Sequence, residues 1–185
     1  MNKKKELLKF YKDASAQYAH NLSHKPYDGY RNHNINVALF AYLPELTDPN
    51  VLDAGCGTGE FVFPLLIHKY GNKLALTGSD ISQDMLDIAA KQFPHATLVI
   101  GEAEKLPFDD TTFDLVISRE ALEHVYDPIA VLKQFYRVLK PGGYLVASTP
   151  SWFGFIAPLY FIKRKILNNM QPIDDWWTPF KLSRY

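Results

Sequence analysis

Seven consecutive residues, Asp53-Ala54-Gly55-Cys56-Gly57-Thr58-Gly59, constrain this chain more than any others. They follow a short apolar run, Val51-Leu52, and precede a stretch of helical character from Glu60 to Tyr70. Glycines at alternate positions between a strand and a helix mean that the backbone turns tightly and that a ligand can approach the main chain closely. Such a turn opens a βαβ unit, so a mostly parallel sheet is expected.

The pattern downstream repeats this alternation. Lys73 to Ser79 reads as a strand ending at Asp80. Ser82 is a helix cap, and Pro94 stops that helix after Phe93. Ala96 to Ile100 and Phe113 to Ser118 read as the third and fourth strands, with a polar turn at Asp109-Asp110 before the fourth. Pro128 opens a helix reaching Leu139, and Pro141-Gly142-Gly143 turns the chain into a fifth strand, Tyr144 to Ser148. Apolar strands alternating with helices predict an α/β fold, a doubly wound and mostly parallel sheet with helices on both faces. Ligands bind such sheets at the carboxyl ends of the strands, where the strand order reverses.

Upstream, Leu7, Leu8, Phe10, Tyr11, Ala14 and Tyr18 recur at helical spacing. Pro26 and Gly29 interrupt the pattern, and Asn34 to Tyr42 reads as a second helix stopped by Pro44. The chain therefore divides into an N-terminal helical segment (1–45), an α/β core (46–150) and an aromatic tail (151–185).

Twenty Lys and Arg balance twenty Asp and Glu, which argues against a nucleic-acid partner, whose binding calls for a basic surface. A single cysteine, Cys56, excludes an intrachain disulfide and a cysteine-based zinc cluster. His20, His24 and His33 lack metal-ligand spacing, so no metal is expected. The Lys-rich stretch Met1 to Phe10 lacks the apolar core of a signal peptide, and no run reaches the ~20 apolar residues of a membrane span. The expected location is the cytoplasm.

The charges around the glycine turn separate two ligand classes. A dinucleotide fingerprint places a small residue three positions beyond its second glycine. Here that position is Glu60, whose carboxylate would repel a pyrophosphate docking on the same helix amides. Asp53 adds a second negative group beside the turn. A ligand with an ammonium or a sulfonium suits the turn better than one with a phosphate chain, and S-adenosylmethionine carries both cations. Asp80, at the end of the second strand, stands where an acidic residue accepts from ribose hydroxyls in such folds. The plainer alternative for Asp80 is capping of the helix that follows.

The stretches VLDAGCGTGEF, GSDIS with the Met85-Leu86 pair after it, GEAEKLPFDDTTFDLVISREALEHV and RVLKPGGYLVASTP resemble the class I methyltransferase family in order and spacing. Together they cover about residues 50 to 150, and the likeness is to the branch that methylates quinone precursors and other small metabolites. The resemblance implies S-adenosylmethionine as cofactor. The backbone of Gly55, Gly57 and Gly59 would pack against its methionine and ribose parts, and Asp53 would orient its ammonium. Asp80 would take the ribose hydroxyls, with Ile81 and Met85 flanking the adenine. Glu102, where the family usually has Asp, would accept from the adenine amino group, and the Ala103 amide would donate to the ring. Ser118 and Arg119 would line the methionine end. His124, beside Glu123, faces the presumed acceptor and could remove its proton; local packing is the alternative. Tyr11 and Tyr18 would belong to an N-terminal lid or, more plainly, to the core.

The tail from Trp152 to Ile162 is apolar and is followed by Lys163-Arg164-Lys165. It suits a cover for the sheet, a pocket wall for a hydrophobic acceptor or an interfacial helix. The family continues with a further helix and two strands for which no sequence is recognised here. The expectation is a C-terminally incomplete sheet, with a homodimer or a completing chain covering its edge. The expected activity is methyl transfer to a small-molecule acceptor. A cofactor-binding but inactive partner subunit is the second reading, and an NAD-dependent oxidoreductase, disfavoured by Glu60, is the third.

Overall fold

The computed structural model describes residues 26–149, 159–160 and 180–181, with side chains described for 32–149. The predicted helix around Leu7 to Tyr18, Tyr11 and Tyr18 themselves, and most of the tail lie outside the described residues. Four helices and seven strands are described: α1 (Pro26–Tyr42), β1 (Asn50–Ala54), α2 (Phe63–Tyr70), β2 (Ala75–Asp80), α3 (Gln83–Gln92), β3 (Thr97–Ile100), β4 (Phe113–Arg119), α4 (Pro128–Val138), β5 (Leu139–Ser148), β6 (Leu159–Tyr160) and β7 (Phe180–Lys181).

The strand order is β3-β2-β1-β4-β5-β6, with β7 also pairing β5. The pairs among β1 to β5 are all parallel, as the alternation of strands and helices predicts. The order reverses between β1 and β4, so the turn after β1 and the turn after β4 open side by side at the carboxyl edge.

Period-two alternation divides the buried strand residues between two cores. Val51, Leu115, Ile117 and Val146 join Ile35 and Leu39 of α1, Leu43 just after it, and Phe63 and Leu66 of α2 in one. Leu52, Val116, Leu145 and Ala147 join Val131, Phe135 and Val138 of α4 in the other. Apolar residues on both faces of the same strands require helices on both sides, as found.

Several boundaries differ from those expected. Helix α1, described over Pro26–Tyr42, runs through Gly29, where the sequence suggested a break. A lone glycine inside a helix costs only about 1 kcal/mol relative to alanine, which the packing of α1 on the core offsets. Helix α2 begins at Phe63 rather than Glu60, and Pro64 explains the shift. A helix starting at Glu60 would set Pro64 beyond the first turn and lose a hydrogen bond there. A 3₁₀ turn at Gly71–Lys73 delays β2 to Ala75. Strand β5 takes in the Pro-Gly-Gly stretch: β4 advances from Phe113 to Leu115 while β5 advances from Leu139 to Tyr144, leaving a bulge with Gly142 at φ 81°. Ser82 caps α3 as predicted, its hydroxyl accepting from the Met85 amide.

The outer edge of β5 is not bare. Ala147 and Ser148 pair antiparallel with β6, and Tyr144 and Leu145 pair antiparallel with β7. Residues 159–160 and 180–181 are the described part of the tail, and both segments lie along this edge.

Arg137 of α4 fastens the loop between β3 and β4. Its guanidinium donates to the carbonyls of Leu106 and Phe108, to Asp110 Oδ1 and to Gln134 Oε1, at 2.6 to 2.9 Å for the shortest bond to each. Pro107 in that loop abuts Gly101, where an added Cβ would lie 2.8 Å from its ring. The loop thereby presses on the exit of β3.

Phe135 is fully buried at the centre of the α4-side core. Phe135→Ala is expected to lower unfolding stability by about 3–5 kcal/mol, because the lost burial is compounded by the cavity left behind. A urea titration of parent and variant measures this; a loss below about 1 kcal/mol would mean that the core recloses around the gap.

Candidate functional site

The carboxyl ends of β1, β2 and β4 carry the polar residues singled out in the sequence. Gly55, Gly57 and Gly59 all have positive φ, at 82°, 55° and 75°. At Gly55 an added Cβ would lie 2.6 Å from the Ala121 Cβ, so the turn after β4 can rest against the glycine turn only because no side chain intervenes. At Gly57 an added Cβ meets nothing within 4 Å. Open space there, with the backbone in a left-handed conformation, is what close approach of a ligand requires.

Asp80 joins the two turns that flank β2. Its Oδ2 accepts from the Gly57 amide at 2.8 Å and its Oδ1 from the Ser82 amide at 2.9 Å. Burial raises its pKa, while the Ser82, Gly57 and Ile81 amides oppose that rise. The carboxylate thus caps the start of α3 and fixes the glycine turn, so the plainer reading of this residue is present in the geometry. Each oxygen has a further lone pair, leaving acceptor capacity for a ligand.

Asp53 is fully buried, and neither carboxyl oxygen has a hydrogen-bond partner. Its pKa is raised to about 8, by burial first and by Asp80 second, with Arg119 acting in the opposite sense. A buried carboxyl without a donor is costly unless a ligand or a cation satisfies it. An ammonium would supply donors and a positive charge together, so the donor set fits the amino-acid end of S-adenosylmethionine.

Ser118 is buried in β4 with its hydroxyl unpartnered, and Arg119 ends the strand. The Arg119 guanidinium lies 4.3 Å from the Phe61 ring centroid and donates to Asn32 Oδ1 at 2.6 Å and Asn36 Oδ1 at 3.2 Å. Its charge acts on Asp53 and also on Glu60, whose pKa is raised chiefly by burial. Arg119 therefore sits across the glycine turn, gripped from α1.

At the next strand end, Gly101 donates to the Asp80 carbonyl at 2.9 Å, which brings the turn after β3 beside the end of β2. Glu102 and Ala103 follow in that turn and are half-buried, as is Ile81. Met85 lies in the first turn of α3 and is buried. The residues named for cofactor contact thus gather at one edge of the sheet.

Glu120 follows β4 with φ 51°, unusual for a residue bearing a side chain. The chain then enters a 3₁₀ turn, Leu122–His124. His124 is half-exposed, with its Nε2 3.8 Å from Glu123 Oε1. Glu123 is the more enclosed of the two and accepts from Thr149 Oγ1 at 3.0 Å; burial raises its pKa. The sequence reading passed over Asn32, Asn36 and Phe61. A signal existed for the asparagines, since Asn32, Ile35, Asn36, Leu39 and Leu43 fall on one helical face, and two amides on an apolar face call for a partner.

A family model described as a methyltransferase domain matches residues 52–147. The chain belongs to the class I S-adenosylmethionine-dependent methyltransferases. Among relatives of this chain, the demethylmenaquinone methyltransferase of Bacillus licheniformis is 40% identical over 117 residues, 60% of this chain and 50% of that protein. The malonyl-[acyl-carrier protein] O-methyltransferase of a Marinomonas species is 37% identical over 143 residues, 69% of this chain and 52% of that protein. The chain spans about half the length of these curated relatives. The solved structure of a SAM-dependent methyltransferase from Thermotoga maritima superposes with a TM-score of 0.63 at 28% identity, covering 77% of this chain and 61% of that one. Among the described residues no helix is long and apolar enough to cross a membrane.

The Asp53 carboxyl has a clear signature in stability. Its folded pKa, about 8, lies above the ordinary 3.8, so the folded state holds the proton more tightly than the unfolded state. That contribution is complete below pH 3.8 and is lost as pH rises through about 8. Without ligand, Asp53→Asn should flatten this decline, seen as a smaller fall in urea midpoint across the same window. Parallel pH profiles for parent and variant would show that Asp53 is already ionised well below about 8.

Proposed function

We propose that this methyltransferase catalyses methyl transfer from S-adenosylmethionine to a small-molecule acceptor. The observation that carries the reading is Asp53, a fully buried carboxyl without a hydrogen-bond partner, two residues before Gly55 at the carboxyl end of β1. When bound, the cofactor supplies a methyl group on a sulfonium, an already activated leaving group. The protein is left with binding, alignment and exclusion of water.

Each residue has a distinct part in this reading. Asp53 receives the ammonium, and Gly55, Gly57 and Gly59 let the ligand lie on the main chain. Asp80 accepts from the ribose hydroxyls while its other lone pairs stay with Gly57 and Ser82. Ile81 and Met85 flank the adenine, Glu102 accepts from its amino group, and the Ala103 amide donates to the ring. Ser118 and Arg119 border the methionine end. His124 takes a proton from the acceptor. The N-terminal segment (1–45) closes over the core (46–150), and the tail (151–185) borders the acceptor or a second chain. A homodimer or a completing chain associates along the β5 edge, the end of the parallel strand order opposite β3.

Calorimetric titration with S-adenosylhomocysteine and with NAD tests the cofactor, and turnover on a panel of small acceptors tests the activity. Binding of NAD alone would overturn the reading; binding of S-adenosylhomocysteine without turnover on any acceptor would favour a non-catalytic subunit. Asp80→Ala is expected to weaken S-adenosylhomocysteine binding by about 1.5–3 kcal/mol, the range for hydrogen bonds to a charged group. Unchanged affinity would remove Asp80 from the ribose. His124→Ala is expected to lower kcat with little change in cofactor affinity, and an unaltered rate would return His124 to a packing role.

A further inference from the structure

Among the described residues, Asn32 and Asn36 join the α1 helix to the candidate site. Asn32 and Asn36, one helical turn apart, both present Oδ1 to the Arg119 guanidinium, Asn32 to Nη2 and Asn36 to Nε. Asn32 is buried, and Ile35 and Leu39 of the same face are buried in the core with Phe63 and Ile117. The helix is therefore fixed to the sheet by apolar packing, and the two amides convert that fixed position into a fixed position for the guanidinium. Phe61, directly after Glu60, closes the other side of the group at 4.3 Å from its centroid. A guanidinium held by two acceptors and an aromatic face has little freedom to turn.

We propose that Asn32 and Asn36 are positioning residues for cofactor binding, holding Arg119 across the glycine turn so that seating of α1 and occupancy of the site are coupled. This rests on the assignment of the site to S-adenosylmethionine. The chemistry matches an α-amino acid in zwitterionic form: Asp53, at the end of β1, offers a carboxyl group that an arriving ammonium would draw into its ionised form, and Arg119, at the end of neighbouring β4, offers a positive group to the carboxylate. Arg119 also acts on the charges of both Asp53 and Glu60, so its displacement would leave two carboxyl groups without their nearby cation. Coupling is reciprocal: a ligand carboxylate that holds Arg119 also holds Asn32 and Asn36, and with them the first half of α1.

The test pairs binding with amide hydrogen exchange in the full chain. Asn→Leu is nearly isosteric, removes the acceptor and favours a helix, so α1 is expected to stay folded in the double variant N32L/N36L. That variant should bind S-adenosylhomocysteine about tenfold or more weakly, since a hydrogen bond to a charged group is lost at each position. N32D keeps an acceptor for Arg119 and should bind within a few-fold of the parent. In the parent, S-adenosylhomocysteine should slow exchange along Pro26–Tyr42; in N32L/N36L and in R119Q that protection should vanish while protection of the glycine turn persists at saturating ligand. Tight binding by the parent with unchanged affinity and unchanged α1 protection in N32L/N36L would overturn the coupling and leave the cofactor assignment standing. No binding by the parent would overturn the cofactor assignment and the coupling with it.

Discussion

The Asp80 carboxylate is the constraint on which the candidate site rests. It lies almost out of water, yet both oxygens are engaged by amides from different elements, Gly57 of the turn after β1 and Ser82 at the start of α3. Remove that bridge and the glycine turn would rest on the bonds from the Gly55 and Cys56 amides to the Ser79 carbonyl of β2, while α3 would lose a contact at its start. The carbonyl of the same residue accepts from Gly101, so the turn after β3 is registered against this residue as well. Three consecutive strand ends are thereby indexed to one side chain and its backbone. A ligand lying across those ends would meet a surface set before it arrives, which limits the ordering cost of binding.

The sheet order decides what can meet what. Reversal between β1 and β4 makes the glycine turn and the turn after β4 neighbours, and the absence of a side chain at Gly55 lets Ala121 close in. The left-handed Glu120 redirects the chain so that the 3₁₀ turn with Glu123 and His124 follows directly. Backbone strain of this kind persists where surrounding structure dictates it, and it often accompanies function.

The core strands and the glycine turn were legible in the sequence because each signal was local. Short apolar runs between glycine, proline and polar turns marked β1 to β5, Ser82 marked the start of α3, and the acidic residues at Asp53, Glu60 and Asp80 marked the character of the turn. Boundaries failed where one residue had two readings. Gly29 can end a helix or be carried within one, and in α1 it is carried; Pro64 trims α2 by restricting the first turn. The Arg119 grip was hidden for a different reason: Asn32 and Asn36 lie 87 and 83 positions away from it, and only the docking of α1 on the sheet brings them together. The double duty of Asp80 was half visible, since the sequence offered ribose binding and helix capping as alternatives, whereas the geometry leaves room for both.

Arg137 grips its loop mainly by the main chain, through the carbonyls of Leu106 and Phe108, and by one carboxylate, Asp110. A grip on carbonyls is indifferent to which side chains the loop carries. The side chains of the same loop answer to a separate demand, since Leu106 is buried in the α4-side core and Phe108 packs edge-on against Phe113. The spacing of the loop is thus set by its carbonyls and its residue identity by the core, and one inserted residue would break both registers at once.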